Sequence, residues 1–451
     1  MIRSQFSHRR RAWDNRKGYF LTTTRHFLLT TLGSLGDLHP YIAVGLGLRE
    51  RGHTCTIATS EVYRQKVEGE GLRFHPMRPD LGLLMDNPEV LRRVVHPRTG
   101  TEYVFRKLIL PWLEQSFEDT LEAARDADLI VGHPIAFATP TVAEYLKKPW
   151  VSIVLQPMVF LSAHDPPAFS GAPFLTSLFS LVPGFTRLFF QFSRSIVRGW
   201  GAPVNALRSR LEMRPFRNPL LDDMFSPHGT QAWFSNVLAR PQSDWPERTA
   251  ITGFPFYDKL APGQGLSPDL ARFLDAGPAP VVFTLGSSAV FDAGEFYSES
   301  LAAVRRTGCR AVLLIGRDLR NAPATPVPDS VFVAEYAPYS ELLSRAAATV
   351  HQGGVGTTAQ ALRAGKPMIV VPWSHDQPDN GMRVQRLGVG RVIPRSRYRR
   401  DRVSRELEAI LGQTAYSTAA RETACEMDLE DGVAAACAGL ERFTETPRGV
   451  Y

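Results

Sequence analysis

The chain has 451 residues, is 44% hydrophobic and 22% charged, and carries a formal net charge of +7. These are globular values at a length that exceeds one ordinary core, so two domains of roughly 200 residues are expected. Cys55, Cys309, Cys425 and Cys437 form no CxxC pair and no His-partnered metal spacing, and no apolar run reaches the ~20 residues of a spanning helix. A disulfide framework, a zinc motif and a membrane span are thereby excluded as readings.

The positive charge is local. Residues 1–26 hold Arg3, Arg9, Arg10, Arg11, Arg16, Lys17 and Arg25 against Asp14, which accounts for nearly all of the excess. A short basic stretch reads as a disordered arm, with contact to anionic lipid as the lesser alternative, so no nucleic-acid partner is expected. No apolar segment of signal-peptide type follows it. A cytoplasmic protein is expected, with peripheral contact at the inner membrane face left open.

In chain order, HFLLTTLG (26–33) predicts a strand that enters a Gly-Ser-Leu-Gly-Asp turn. Pro40 is expected near the first helical position, and YIAVGLGLRERG (41–52) predicts a helix that stops at Gly52. TCTIAT (54–59), DLIVGH (128–133) and WVSIVLQP (150–157) predict further strands. Alternation of this kind implies a parallel sheet covered on both faces. Residues 160–225 are rich in Phe, Leu and Pro and read as helices and long loops, either a substrate wall or a packing subdomain. The segment 251–270, rich in Pro and Gly, reads as a linker. A second alternation follows, with strands in PVVFTLGSS (280–288), CRAVLLIG (309–316), SVFVAEYAP (330–338), AATVHQGG (347–354) and KPMIVVPW (366–373). The predicted fold class is α/β, two Rossmann-like domains facing across a cleft, with ligands at the carboxyl ends of the strands.

Two stretches carry the chemistry. HQGGVGTTAQAL (351–362) puts Gly353, Gly354 and Gly356 where a strand turns into a helix, which suits backbone N–H groups to phosphate. Thr357 and Thr358 add hydroxyls, Gln352 an amide, and His351 a further polar candidate. The turn is neither GxGxxG nor GxxxxGK[ST], which argues against NAD and ATP. Ser287 in LGSS offers a second turn to the same diphosphate. Tyr336, with Ala337 beside it at a strand end, offers an aromatic face to a base. Asp376 and Gln377 in SHDQPDN suit adjacent sugar hydroxyls, since each presents more than one hydrogen-bonding atom.

The segment from Tyr336 to Gly390 resembles the signature of the family 1 glycosyltransferases, which have the GT-B fold and use nucleotide-diphosphate sugars. The resemblance implies that the Gly-rich turn holds the diphosphate, the aromatic stacks on the base and the Asp-Gln pair binds the sugar. Tyr336, Ser287, Gly354, Gly356, Thr357, Asp376 and Gln377 fall on those positions. One departure is Gln352, where the family has His. Beyond the signature, GSLGDLHP (33–40), SAHDPP (162–167) and PQSDWPERTAITGFPFYD (241–258) are similar to the bacterial branch that includes the rhamnosyltransferase of rhamnolipid synthesis. Sterol and glycopeptide-antibiotic enzymes share parts of the pattern, and the likeness covers nearly all of the chain after residue 26.

From the resemblance the base belongs in the first strand–helix turn, at Asp37, with His39 as second choice. A carboxylate in a partly apolar cleft would be raised in pKa and so become a better base. The structural alternative is that Asp37 is the helix N-cap. His133, at a strand end, and His164, in a Pro-rich loop, are candidates either to orient the base or to touch the acceptor, and Phe160 is an acceptor-pocket candidate. The implied activity is inverting, independent of metal and cofactor, with UDP-glucose as the default donor and dTDP-rhamnose as its competitor. The acceptor would be an apolar hydroxylated molecule: phenol or flavonoid, lipid, sterol or macrolide. Residues 27–250 would hold acceptor and base and 259–415 the donor, while 416–451 would pack back across the cleft. A non-catalytic helper, and an epimerase or hydrolase of the nucleotide sugar, are the rival readings.

Overall fold

The computed structural model describes residues 24–82, 87–169, 179, 183–258 and 265–445. The basic stretch expected as a disordered arm therefore lies almost wholly outside the described residues, as do 170–178 and 180–182 of the Phe-rich middle and 259–264 of the linker.

Among the described residues, thirteen strands form two parallel sheets. The first contains β1 (His26–Thr30), β2 (Thr54–Thr59), β3 (Arg73–Pro76), β4 (Leu129–Gly132), β5 (Trp150–Val154), β6 (Thr230–Ala232) and β7 (Thr249–Ile251), in the order β3-β2-β1-β4-β5-β6-β7. The second contains β8 (Val281–Thr284), β9 (Ala311–Leu314), β10 (Val331–Ala334), β11 (Ala348–His351), β12 (Met368–Val370) and β13 (Gly390–Val392), in the order β10-β9-β8-β11-β12-β13. Central strands such as FLL of β1 and VVF of β8 are buried on both faces, which is why they read as unbroken apolar runs rather than alternating ones. In each sheet the winding reverses once, between β1 and β4 and between β8 and β11. Those reversals leave a crevice beyond the strand ends, and the two crevices are where the chemistry-bearing turns fall.

The helix Leu35–Glu50 follows β1. Pro40 is its sixth residue, inside the helix rather than at the expected first position. Its missing N–H would have paired with the carbonyl of Gly36, only one turn from the helix start, where the chain can still accommodate the loss. The helix ends at Arg51 with Gly52 beyond it at φ +88°.

The chain crosses between domains twice. The linker after β7 is pinned: Tyr257 Oη donates to Glu70 Oε1 at 2.5 Å, and Asp258 pairs with Arg363 at 2.5 Å. The second crossing, at Glu430–Gly432, runs against the first, with Gly432 tight on the carbonyl of Phe254. There Glu430 Oε1 accepts from Ser235 Oγ at 3.0 Å and from Asn236 N–H at 3.1 Å. The helix Thr414–Met427 stays on the second domain against Val355–Arg363, and only Gly432–Glu445 returns to the first. A Cβ on Gly47 would lie 2.6 Å from Val433 Cγ1 and 2.9 Å from Cys437 Sγ, so the two helices meet at a bare backbone. Ala436, Cys437 and Leu440 join Tyr41, Val44 and Trp233 in one core.

The helix Pro183–Trp200 buries Thr186 and Phe190 while Phe185, Leu188, Phe192 and Ile196 face outward along one stripe. No helix among the described residues is long and apolar enough to cross a membrane.

Candidate active site

The crevice of the first sheet is built around Asp37. Ser34 is the helix N-cap, with its Oγ accepting from Gly36 N–H at 3.2 Å. Asp37 is the third helical residue and closes a capping box, its Oδ2 accepting from Ser34 N–H at 2.7 Å and Ser34 Oγ–H at 3.1 Å. Gly33 at φ +127° makes this possible, because a Cβ there would overlap the Asp37 carboxyl group. The other oxygen, Oδ1, lies 3.5 Å from His133 Nε2, which follows β4 on the far side of the crevice. His133 Nδ1 accepts from Ile135 N–H at 3.4 Å, so a neutral ring carries its proton on Nε2, toward Asp37. The helix geometry therefore occupies one carboxylate oxygen and leaves the other facing an imidazole and the cleft.

His39 is turned elsewhere. Its ring packs on Tyr257 at 4.9 Å, and burial together with nearby Lys66 lowers its pKa to about 4. His164 is exposed, with its Nε2 3.2 Å from Arg187 Nη2. Phe160, expected in the acceptor pocket, is instead interior: it stacks on Trp245 at 4.1 Å and contacts Phe225 and Phe234. Its run of apolar neighbours gave no sign of which face would be sealed.

The crevice of the second sheet holds two glycine turns. Gly353 has φ +90°, and a Cβ there would lie 2.5 Å from Val370 Cγ1, so only glycine fits. Gly354 is the N-cap of the helix Val355–Arg363. Gln352 is buried, with its amide in the space left by the missing side chains of Gly286 and Gly354 and its Oε1 without a partner among the described residues. Gly356 faces open space. Thr357 is buried beside Tyr339, whose hydroxyl is 2.8 Å from Thr284 Oγ1, and the buried Thr358 Oγ1 has no partner among the described residues. The first-turn N–H groups of Gly356 and Thr357 have no carbonyl within the helix, and the helix end favours an anion. The Ser287 side chain lies outside the described residues.

His351, expected as a polar contact for the donor, is wholly buried beneath this turn. Its Nδ1 accepts from Gly353 N–H at 3.1 Å, its Nε2 sits 3.4 Å from Met368 Sδ, and burial lowers its pKa to about 3. It shapes the turn as a neutral ring and does not reach the crevice.

Asp376 precedes the helix Gln377–Arg386. Its Oδ2 accepts from Val355 N–H at 3.1 Å and Asn380 Nδ2 at 2.7 Å, and the same Asn380 amide donates to Gly353 O at 2.8 Å. Burial, and then Asp37 across the cleft, push the Asp376 carboxyl up to about 7. Gln377 Oε1 accepts from Trp373 N–H at 2.7 Å and Ser374 N–H at 3.2 Å. Tyr336 is 72% exposed at the end of β10, an open aromatic face, while Ala337 beside it is buried. Asn380 and His133 complete the two carboxylate settings. Asn380 was visible four residues after Asp376, one helical turn on. His133 was a candidate from its place at the end of a strand, and the pairing of β4 with β1 brings it to Asp37.

A cavity of about 810 Å³ opens where the domains meet. Pro97 and Phe169 line it from the first domain, and Phe296, Trp373, Met382 and Tyr398 from the second.

Comparison with known proteins gives the family. Residues 27–139 match the glycosyltransferase family 28 N-terminal domain, and residues 300–435 match the erythromycin biosynthesis protein CIII-like C-terminal domain. Over 426 residues the chain is 32% identical to O-mycaminosyltylonolide 6-deoxyallosyltransferase of Streptomyces fradiae, covering 93% of this chain and 97% of that one. It is 28% identical to sterol 3-beta-glucosyltransferase of Aspergillus terreus over 92% of its own length but only 30% of the fungal protein. Among solved structures, the calicheamicin glycosyltransferase CalG4 superposes with a TM-score of 0.68 at 20% identity, over 94% of this chain and 99% of that one. The glycosyltransferase VinC in complex with dTDP superposes at 0.66 and 19% identity, over 94% and 100%. At such identities the structural likeness speaks for the fold alone. The full-length relative, the two domain matches and the paired parallel sheets together make the chain a family 1 GT-B glycosyltransferase, an enzyme that works on nucleotide-sugar donors.

Proposed function

We propose that the enzyme transfers a hexose with inversion, without a metal, from a nucleotide diphosphate to a hydroxyl of a bulky, largely apolar acceptor. The observation that carries this reading is that Asp37, after β1 of the first sheet, and Asp376, after β12 of the second, face one cleft closely enough for the first to help raise the pKa of the second. Asp37 Oδ1 takes the acceptor hydroxyl proton as that oxygen bonds to the anomeric carbon. The bond from that carbon to the phosphate oxygen breaks, and its electron pair leaves with the nucleotide diphosphate. The growing charge there is met by the first-turn N–H groups of Val355–Arg363 and the Gln352 amide. His133 orients the base, Asp376 and Gln377 hold adjacent sugar hydroxyls, and Tyr336 stacks on the nucleotide base. The Streptomyces fradiae relative is named for deoxyallosyl transfer to a tylonolide glycoside and the Aspergillus terreus relative for glucosyl transfer to a sterol. Both names support a macrolide- or sterol-like acceptor. UDP-glucose and a dTDP-linked 6-deoxyhexose such as dTDP-rhamnose both offer the adjacent hydroxyls that the Asp-Gln pair would bind.

The test is a mass-spectrometric transfer assay in EDTA, with UDP-glucose or dTDP-rhamnose and a panel of macrolactones, sterols and phenols. A product heavier by one hexose or deoxyhexose is expected. Asp37→Asn keeps a cap acceptor for Ser34 but removes the base, and its kcat should fall by about 10²–10⁴-fold. An Asp37→Asn enzyme as fast as the parent would place the base elsewhere. Nucleotide binding without turnover of any donor would favour the helper reading instead.

A further inference from the structure

The helix that opens with Gln377 is tied to the first domain along its length. Arg383 is 3% exposed, and its Nε donates to Asp379 Oδ2 at 2.9 Å, one turn back on the same helix. Its Nη1 reaches Asp165 Oδ2 at 2.5 Å and Leu238 O at 3.2 Å, both in the first domain. The fully buried Asp379 uses its other oxygen to accept Ala168 N–H at 3.1 Å. Asp165 and Ala168 belong to one loop, whose start is itself held by Asp244 through Ser162 Oγ at 2.6 Å and Ala163 N–H at 2.7 Å. Just before the helix, His375 sits at φ +55° with its Nδ1 3.1 Å from Thr101 Oγ1. A left-handed conformation in a non-glycine residue is costly and persists only where its surroundings enforce it.

Apolar side chains would pack this seam without the desolvation cost of three charges. The ionic cluster adds directionality. A guanidinium fork satisfies two carboxylates in one relative placement, and a buried polar group left unpaired is heavily penalised. We propose that Arg383 is a positioning residue: with Asp165 and Asp379 it latches the loop 162–168 onto the donor helix and so fixes the alignment of Asp37 with Asp376. The inference rests on those two carboxylates being base and sugar ligand.

The experiment uses the full chain carrying Asp165→Asn, which leaves the Arg383–Asp379 pair intact within the second domain. Arg383→Met is the stronger second variant. Two quantities are read: amide hydrogen exchange at Ala168, and the ratio of donor hydrolysis to transfer. With a loosened latch, Ala168 should exchange about tenfold faster, and the hydrolysis ratio should rise about tenfold as kcat for transfer falls at a donor KM within about twofold of the parent. Arg386→Ala removes only the exposed pair to Asp165 and should change neither. Parental exchange at Ala168 in Asp165→Asn overturns the latch. Faster exchange with a parental hydrolysis ratio overturns the positioning role and leaves a structural bridge. Absence of transfer by the parent enzyme would refute the functional reading, while the exchange measurement would still decide whether the latch exists.

Discussion

Asp376 serves two demands that pull apart. Its Oδ2 ties the start of the donor helix through Val355 N–H and Asn380, which favours the charged form, yet burial and facing Asp37 disfavour it more. With the folded pKa near 7 against an ordinary 3.8, the ligand-free enzyme takes up a proton on this group as pH falls through 7. Sugar hydroxyls donate best to the carboxylate, so donor Kd should rise as pH is lowered from 8 to 6, and Asp376→Asn should flatten that dependence while weakening binding. Calorimetric titration at several pH values checks both. The same shift has a stability sign. Between about 4 and 7 the folded state binds more protons than the unfolded state, so this group's contribution declines as pH rises and is lowest above 7. Asp376→Asn should therefore gain thermal stability relative to the parent at pH 8, and not at pH 4. At this scale the sequence is readable for backbone geometry: Gly353 holds φ +90° and Gly354 caps the next helix, as a strand-to-helix turn requires. His351 was misread because the contact that removes it from the crevice, with Met368, comes from a neighbouring strand.

Among the elements, the turn after β11 separates two kinds of glycine. Gly353 is demanded by its left-handed backbone and by Val370. Gly353→Ala should cost about 1–3 kcal/mol of folding stability, since both strain and a clash must be absorbed. A Cβ on Gly356 would meet no other part of the described residues within 4 Å beyond its own helix backbone. Gly356→Ala should fold as the parent does and lose donor affinity, because its methyl group would enter the space read here as the diphosphate site. Thermal unfolding paired with nucleotide binding tells the two apart, and an unimpaired Gly356→Ala would move the diphosphate elsewhere. Apolar strands such as β1, β5 and β8 were legible because a buried parallel strand writes a nearly unbroken hydrophobic run. The strands β3, β6, β7 and β13 were not, because polar side chains such as Arg73, Gln231 and Arg391 interrupt the apolar run. Pro40 misled for a related reason: a proline marks a helix start only statistically, and here Ser34 set it earlier.

On the scale of the whole molecule, the two-domain plan followed from the repeated alternation of strand and helix, but the way the halves are joined did not. The return of the last helix depends on Gly47, which in sequence is one glycine among 35. Gly47→Val would wedge that helix off Leu35–Glu50 and should cost about 1–3 kcal/mol, as overpacking of a closed seam does. Denaturant unfolding checks this, and an unchanged midpoint would mean that the seam is loose.

The same return makes the first domain discontinuous along the chain. Recombination at the linker, the obvious place to pair the acceptor half of one enzyme with the donor half of another, would import a foreign Gly432–Glu445 helix into the core of the acceptor half. It would have to fit Tyr41, Val44 and Trp233 of a protein it was not selected with. A workable hybrid needs two junctions, one near Asp258 and one near Glu430, with the final helix kept from the acceptor parent.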